Sequence, residues 1–211
     1  MGAASYTVER APGAHGPWTV AGAGIDESFV QYRPLFNDDS APKGNWYYRV
    51  RSKNAAGLSK PSNIVGPVAV AHATLVDELA DFSKVHARQG HIEISTRDCR
   101  KAKEDAHRAA GKAGDALIYQ LSTAIEGFRV FTFFPHDVLD LKFSVSDDGR
   151  TYHDIPAGKN EYFGGTGDYG YWTPVLYHAG DIGGGAKFLK IELTGETQIG
   201  RVEITRKLES N

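Results

Sequence analysis

The sequence predicts an all-β protein with a β-sandwich core, and three observations carry that expectation. The run EGFRVFTFFPHDVLDLKFSVSDDGRTYHDIP, from Glu126 to Pro156, reads as strand, turn, strand, hairpin and strand with almost nothing between. Its Phe128, Val130, Thr132 and Phe134 share one parity and Arg129, Phe131 and Phe133 the other, which suits a strand covered on both faces. Leu141, Phe143 and Val145 alternate with Lys142 and Ser144, a strand with one wet face, and Asp148-Gly149 supplies a hairpin turn. Twenty-four glycines among 211 residues punctuate the chain at the frequency that a fold of many turns needs.

In chain order, Tyr6, Val8 and Arg10 alternate with Thr7 and Glu9 in a first strand, and AHGPW turns into a second near Thr19. Tyr47, Arg49 and Arg51 alternate with Tyr48, Val50 and Ser52; Asn54 to Gly57 is a turn, and Pro61 to Val65 a last, proline-led strand. Gly66 to Val70 reads as a short, stiff linker. ATLVDELADFSKVHARQG is mostly irregular with one helical turn at most, HIEIST and ALIYQL are strands, and DCRKAKEDAHRAAGKAG is a helical turn or an exposed loop.

Bulk properties exclude several classes of function. A net charge of −2 gives no global attraction to nucleic acid or an anionic membrane. No apolar run is long enough to span a bilayer, and the first residues do not form a signal peptide. Cys99 is the single cysteine, so no internal disulfide forms. Basic residues are not interleaved with aromatics in the manner of a nucleic-acid platform. No nucleophile elbow, P-loop or dinucleotide fingerprint is present, and Asp147-Asp148 serves a turn rather than a cleft, so the chain is not expected to be an enzyme.

One stretch stands out for chemistry. Between Tyr162 and His178 lie six aromatic residues (Tyr162, Phe163, Tyr169, Tyr171, Trp172 and Tyr177) interleaved with Gly164, Gly165, Gly167 and Gly170, with Asp168 beside them. Flat rings stack on the apolar faces of sugars while carboxylates, His and Arg take the hydroxyls. Tyr162, Asp168, Tyr169, Tyr171, Trp172, Tyr177 and His178 are therefore the candidate ligand contacts, joined by Arg108 from the KEDAHR cluster. The alternative is that YGYWTPVLY is a strand whose alternate aromatics fill the core, and that KEDAHR is an Asp/Arg pair on a solvated turn. Asp77, Glu78, Asp81 and Glu203 are candidate oxygen donors for a structural calcium, without fixed spacing; the scattered histidines do not suit zinc.

Two resemblances sharpen this reading. The block YYRVRSKNAAGLSKPSN, with the strands before it, resembles a fibronectin type III domain that starts at its third strand. The hairpin VSDDGRTYHDI and the later AKFLKIELTGETQIGRVEIT resemble those of discoidin-like (coagulation factor 5/8 type C, galactose-binding-like) domains. The implied architecture is a partial, Ig-like fibronectin type III domain over 1–67, lacking its first two strands, and a discoidin-like jelly-roll sandwich over 68–211. Such a pair is similar to the accessory region of a secreted or cell-surface bacterial glycoside hydrolase, so the resemblance implies non-catalytic polysaccharide binding that keeps a catalytic domain of the parent chain near its substrate. It also implies that the chain is cut from a longer protein. The bare inner face of the first domain is then expected to be covered by a neighbour, the second domain or another copy in a homodimer. The rival readings are a spacer that binds nothing and a protein-binding adhesion module.

Overall fold

A computed structural model describes residues 5–25, 36–161 and 170–208. The chain divides into two compact units, 1–73 and 74–209. Among the described residues the elements are all strands, and the fold is all-β with a sandwich as its main body.

The described part of the first unit is a single antiparallel sheet. Strands β1 (Ser5–Ala11), β2 (Thr19–Ile25), β3 (Gly44–Asn54) and β4 (Gly57–Leu58) lie in the order β2-β1-β3-β4, and β5 (Val65–Val70) also pairs with β3. The turn between β3 and β4 forms as its sequence predicts, with the Asn54 side chain accepting the Ala56 N–H and Gly57 at a φ of 113°. The expected linker is corrected: Ala69 pairs with Asn45 and Val68 with Trp46, so Gly66 to Val70 is a strand of this sheet. Register sets two unlike faces. Val8 lies opposite Val50 and Arg10 opposite Tyr48, while Glu9 lies opposite Arg49 and Thr7 opposite Arg51. The second face is an ion-pair lattice in which Arg49 and Arg51 both reach Glu9 and Arg49 covers the Trp18 ring at 4.2 Å.

The second unit is the sandwich. One sheet runs β13-β12-β16-β10-β7, from β7 (Ala87–Gln89), β10 (Ala116–Gln120), β12 (Lys142–Ser146), β13 (His153–Ile155) and β16 (Phe188–Glu192). The other runs β14-β15-β11-β17-β9-β8, from β8 (Glu93–Ser95), β9 (Arg108–Gly111), β11 (Ile125–Phe134), β14 (Gly158–Glu161), β15 (Thr173–Ala179) and β17 (Thr197–Lys207), with β6 (His72–Asp77) paired to β17. The inward parities of both sheets meet in one core. Phe128 stacks on Phe143 with ring centroids 4.7 Å apart, and Tyr177 tilts against Phe143 at 5.6 Å. Leu117, Tyr119, Val130, Leu189, Ile191, Ile199 and Ile204 have no exposed surface, each contributing on the order of 2 kcal/mol of burial.

The hairpin from Glu126 to Pro156 folds as read, with one correction. Phe128, Val130 and Phe134 of β11 are buried, and the opposite parity is covered only in part: Phe133 is buried as well, but Phe131 is half-buried beneath the Arg129 guanidinium at 5.0 Å and Arg129 is exposed. At the turn, Asp148 accepts the Thr151 and Arg150 N–H groups and the Ser146 hydroxyl, and these bonds, Thr151 first, pull its pKa down to about 2. Gly149, at a φ of 72°, completes the turn against the Phe188 ring.

Candidate functional site

The loop joining β8 to β9 is wound from two overlapping turns. Lys101 and Ala102 both donate backbone N–H bonds to the Asp98 carbonyl, and Glu104 donates one to the Cys99 carbonyl at 2.7 Å. Asp98, Lys103 and Glu104 sit at φ values of 56°, 55° and 68°, a left-handed conformation that costs a non-glycine residue on the order of 1 kcal/mol. Three such residues within seven persist only where surrounding contacts hold them. Ala102, fully buried, anchors the loop, and Lys101 and Lys103 flank it.

Arg108 is the main such contact. Its side chain has no exposed surface. Nε donates to Gln198 Oε1 at 2.7 Å, Nη1 donates to the Asp105 carbonyl and Nη2 to the Arg97 carbonyl. The guanidinium thus straps both ends of the loop to β17, and every acceptor is a neutral oxygen. Asp105 lies alongside: its carboxylate accepts the His107 N–H at 3.1 Å, and burial raises its pKa to about 7 against the pull of that bond and of Arg108. Gly200 makes room for it, since a Cβ there would stand 2.2 Å from Asp105 Oδ2.

Upon this base sit Tyr171 and Trp172, both half-buried, just before β15. The Trp172 backbone N–H donates to the Lys101 carbonyl at 2.8 Å, tying the aromatic pair to the loop. Arg108 lies 5.8 Å from the Trp172 ring centroid on one side, and Lys101 Nζ lies 6.0 Å from it. Lys103 Nζ stands 3.8 Å from the Tyr171 ring centroid. The result is a surface of two part-exposed rings, each with a lysine ammonium within cation–π range.

The residues expected at this site separate. Tyr171 and Trp172 meet the β8–β9 loop. Arg108 is with them but beneath them, so it positions the aromatic pair and is not itself exposed to a ligand. Tyr177 is a core residue: it is 2% exposed, donates its hydroxyl to the Leu139 carbonyl, and packs edge-on to Phe134. Thr173, Val175 and Tyr177 share the inward parity of β15, which is why this ring cannot face outward. His178, of the opposite parity, lies on the outer face across from Arg129, with its ring against Gly158. The expected contacts at Tyr162, Asp168 and Tyr169 lie outside the described residues.

The proposed oxygen donors are also engaged elsewhere. Asp77, buried, accepts the Tyr119 hydroxyl at 3.0 Å and the Leu79 N–H at 2.9 Å, and burial raises its pKa. Glu78 and Glu203 both bind Arg201, and Glu203 also takes Arg129 at 3.1 Å, forming a row of ion pairs. Asp81 caps Ser83 at 2.7 Å. Among the described residues no group of three or more His, Cys, Asp or Glu could hold a metal.

Sequence reasoning passed over Lys101, Lys103 and Gln198. The KAK spacing was the available signal for the lysines, since a small apolar residue between two charges marks an inward anchor with both neighbours outward.

No protein-family model and no curated protein matches this chain. Among solved structures, a family 6 carbohydrate-binding module is similar over 63% of this chain and 94% of its own, at 12% identity and a TM-score of 0.39. A family GH115 4-O-methyl-α-glucuronidase with specificity for decorated arabinogalactans is similar over 62% of this chain and 18% of its own, at 18% identity and a TM-score of 0.32. The second family 51 carbohydrate-binding module of ZmpB from Clostridium perfringens, solved with GlcNAc and INT domains, is similar over 80% of this chain and 38% of its own, at 10% identity and a TM-score of 0.33. Likenesses this distant assign neither family nor function.

Proposed function

We propose that the second unit is a non-catalytic carbohydrate-binding module that holds polysaccharide against Tyr171 and Trp172. The observation that carries this is the effort spent on the pair: two part-exposed rings rest on a loop with three left-handed residues, strapped by a fully buried arginine. The exposed part of each ring contributes nothing to the core, whereas flat apolar faces suit sugar rings. The tethering role follows from this reading. A secreted or cell-surface glycoside hydrolase carrying the module, with the fibronectin type III-like unit as its neighbour, would keep its catalytic domain at high local substrate concentration. Affinity electrophoresis through gels containing plant and algal polysaccharides, with and without calcium, tests it. Retardation by at least one polymer, lost in Trp172→Ala while melting is unchanged, is the expected result. Uniform mobility across the panel would leave the chain a spacer.

A further inference from the structure

We propose that the polysaccharide bound at Tyr171 and Trp172 is anionic, carrying carboxylate or sulfate groups that the β8–β9 loop reads with Lys101 and Lys103. This rests on the carbohydrate-binding reading and adds the ligand's charge to it.

The local charge runs against that of the chain. Residues 97–108 hold five Lys or Arg and three Asp or Glu, in a protein whose net charge is −2. One of those acids, Asp105, is half-protonated near neutral pH. The central cation, Arg108, spends its hydrogen bonds on neutral oxygens, and the carboxylate beside it, Asp105, offsets its charge only in part near neutral pH. Arg97 and Arg100 are exposed on the same loop.

Lys101 is placed for exchange. Lys101 pairs with Asp98 at 3.3 Å, but both side chains are about half exposed, at 53% and 49%, and a pair so solvated holds weakly. Lys103 Nζ stands 3.8 Å from the Tyr171 ring centroid. An ammonium over a ring shields the face that a sugar would use. An anionic sugar removes that conflict: its carboxylate or sulfate draws the ammonium aside and the ring face stacks on the sugar's C–H surface. A neutral sugar must displace the lysine with no ionic return. Surfaces built for neutral sugars instead offer carboxylate and amide acceptors to the hydroxyls.

The test is affinity electrophoresis of the full chain through polygalacturonate and a sulfated galactan, each beside a neutral galactan and a neutral β-glucan, at low and high sodium chloride. Retardation by a charged polymer is expected, weakening as salt screens it. Lys101→Gln/Lys103→Gln should weaken it about tenfold, from two solvent-accessible charge contacts of up to about fivefold each. Whether polygalacturonate or the sulfated galactan retards more identifies the anion. Equal, salt-insensitive retardation by the neutral polymers, lost in Trp172→Ala, would overturn the charge proposal and leave sugar binding standing. No retardation by any polymer would overturn both. Retention by single-stranded DNA equal to that by the sugars, and indifferent to Trp172→Ala, would reduce the site to a nonspecific basic patch.

Discussion

The two units treat their apolar residues in opposite ways. In the second, two sheets face each other and the inward parities close into one core, with Leu117, Leu189, Ile191 and Ile204 at zero exposure. In the first, the described strands form a single sheet, and all seven exposed large hydrophobics of the described chain lie there: Val20, Phe36, Val50, Leu58, Ile64, Val65 and Val68. The first unit also carries paired charges across its sheet, Glu9 with Arg49 and Arg51, and Arg10 with Asp38. The contrast teaches where a surface site can be built. A strained loop needs a rigid body to hold it, and the closed sandwich supplies one, with Gln198 of β17 as the buried anchor for Arg108.

The comparison is most easily broken at the core. Ile191→Ala should cost about 4 kcal/mol in chemical denaturation of the second unit, the range for a large-to-small change where nothing can collapse into the gap. A cost below about 1 kcal/mol would mean that the sandwich is loosely packed. Arg108→Met removes the strap and leaves Gln198 Oε1 and the Arg97 and Asp105 carbonyls without their donor. About 3 kcal/mol is expected, with amide exchange rising first in residues 97–105.

Asp105 gives a smaller effect with a definite sign. Its folded pKa, about 7, lies above its ordinary value of 3.8, so the folded state binds the proton more tightly. Stability from this group is complete below about pH 4 and is lost as pH rises through 7. Asp105→Asn, which can still accept the His107 N–H, should therefore melt higher than the parent at pH 8, by roughly 1–2 kcal/mol of stability, and match it near pH 4. The reverse trend would show a carboxylate held by Arg108 rather than penalised by burial. The least effect belongs to the first unit: Val50→Ala, at a position already 37% exposed, should cost under about 1 kcal/mol.

Much of this architecture is legible in the chain because it is local. The Asp148-Gly149 hairpin and the alternation in Phe143 and Val145 depend on neighbours within a few residues. The aromatic run was harder. Tyr177 and Trp172 look alike in a string of rings and glycines, and only the start of β15 at Thr173 separates the core ring within the strand from the half-buried one before it. Arg108 was not legible as a buried residue, since an arginine in a polar stretch reads as solvated. Its burial depends on Gln198, far along the chain, and on carbonyls that no side-chain pattern reveals. The Gly66–Val70 strand was misread because Gly-Pro usually ends an element, whereas here Val68 still reaches Trp46.

The central claim is that Trp172 touches the ligand, and tryptophan fluorescence tests it most directly. The chain has three tryptophans, and the other two, Trp18 and Trp46, lie in the first unit. Titrating a Trp18→Phe/Trp46→Phe variant with the polymer that retards the parent should give a saturable change in intensity or emission maximum from Trp172 alone. Undiminished retardation of that variant with no spectral response would place the sugar elsewhere and contradict the account.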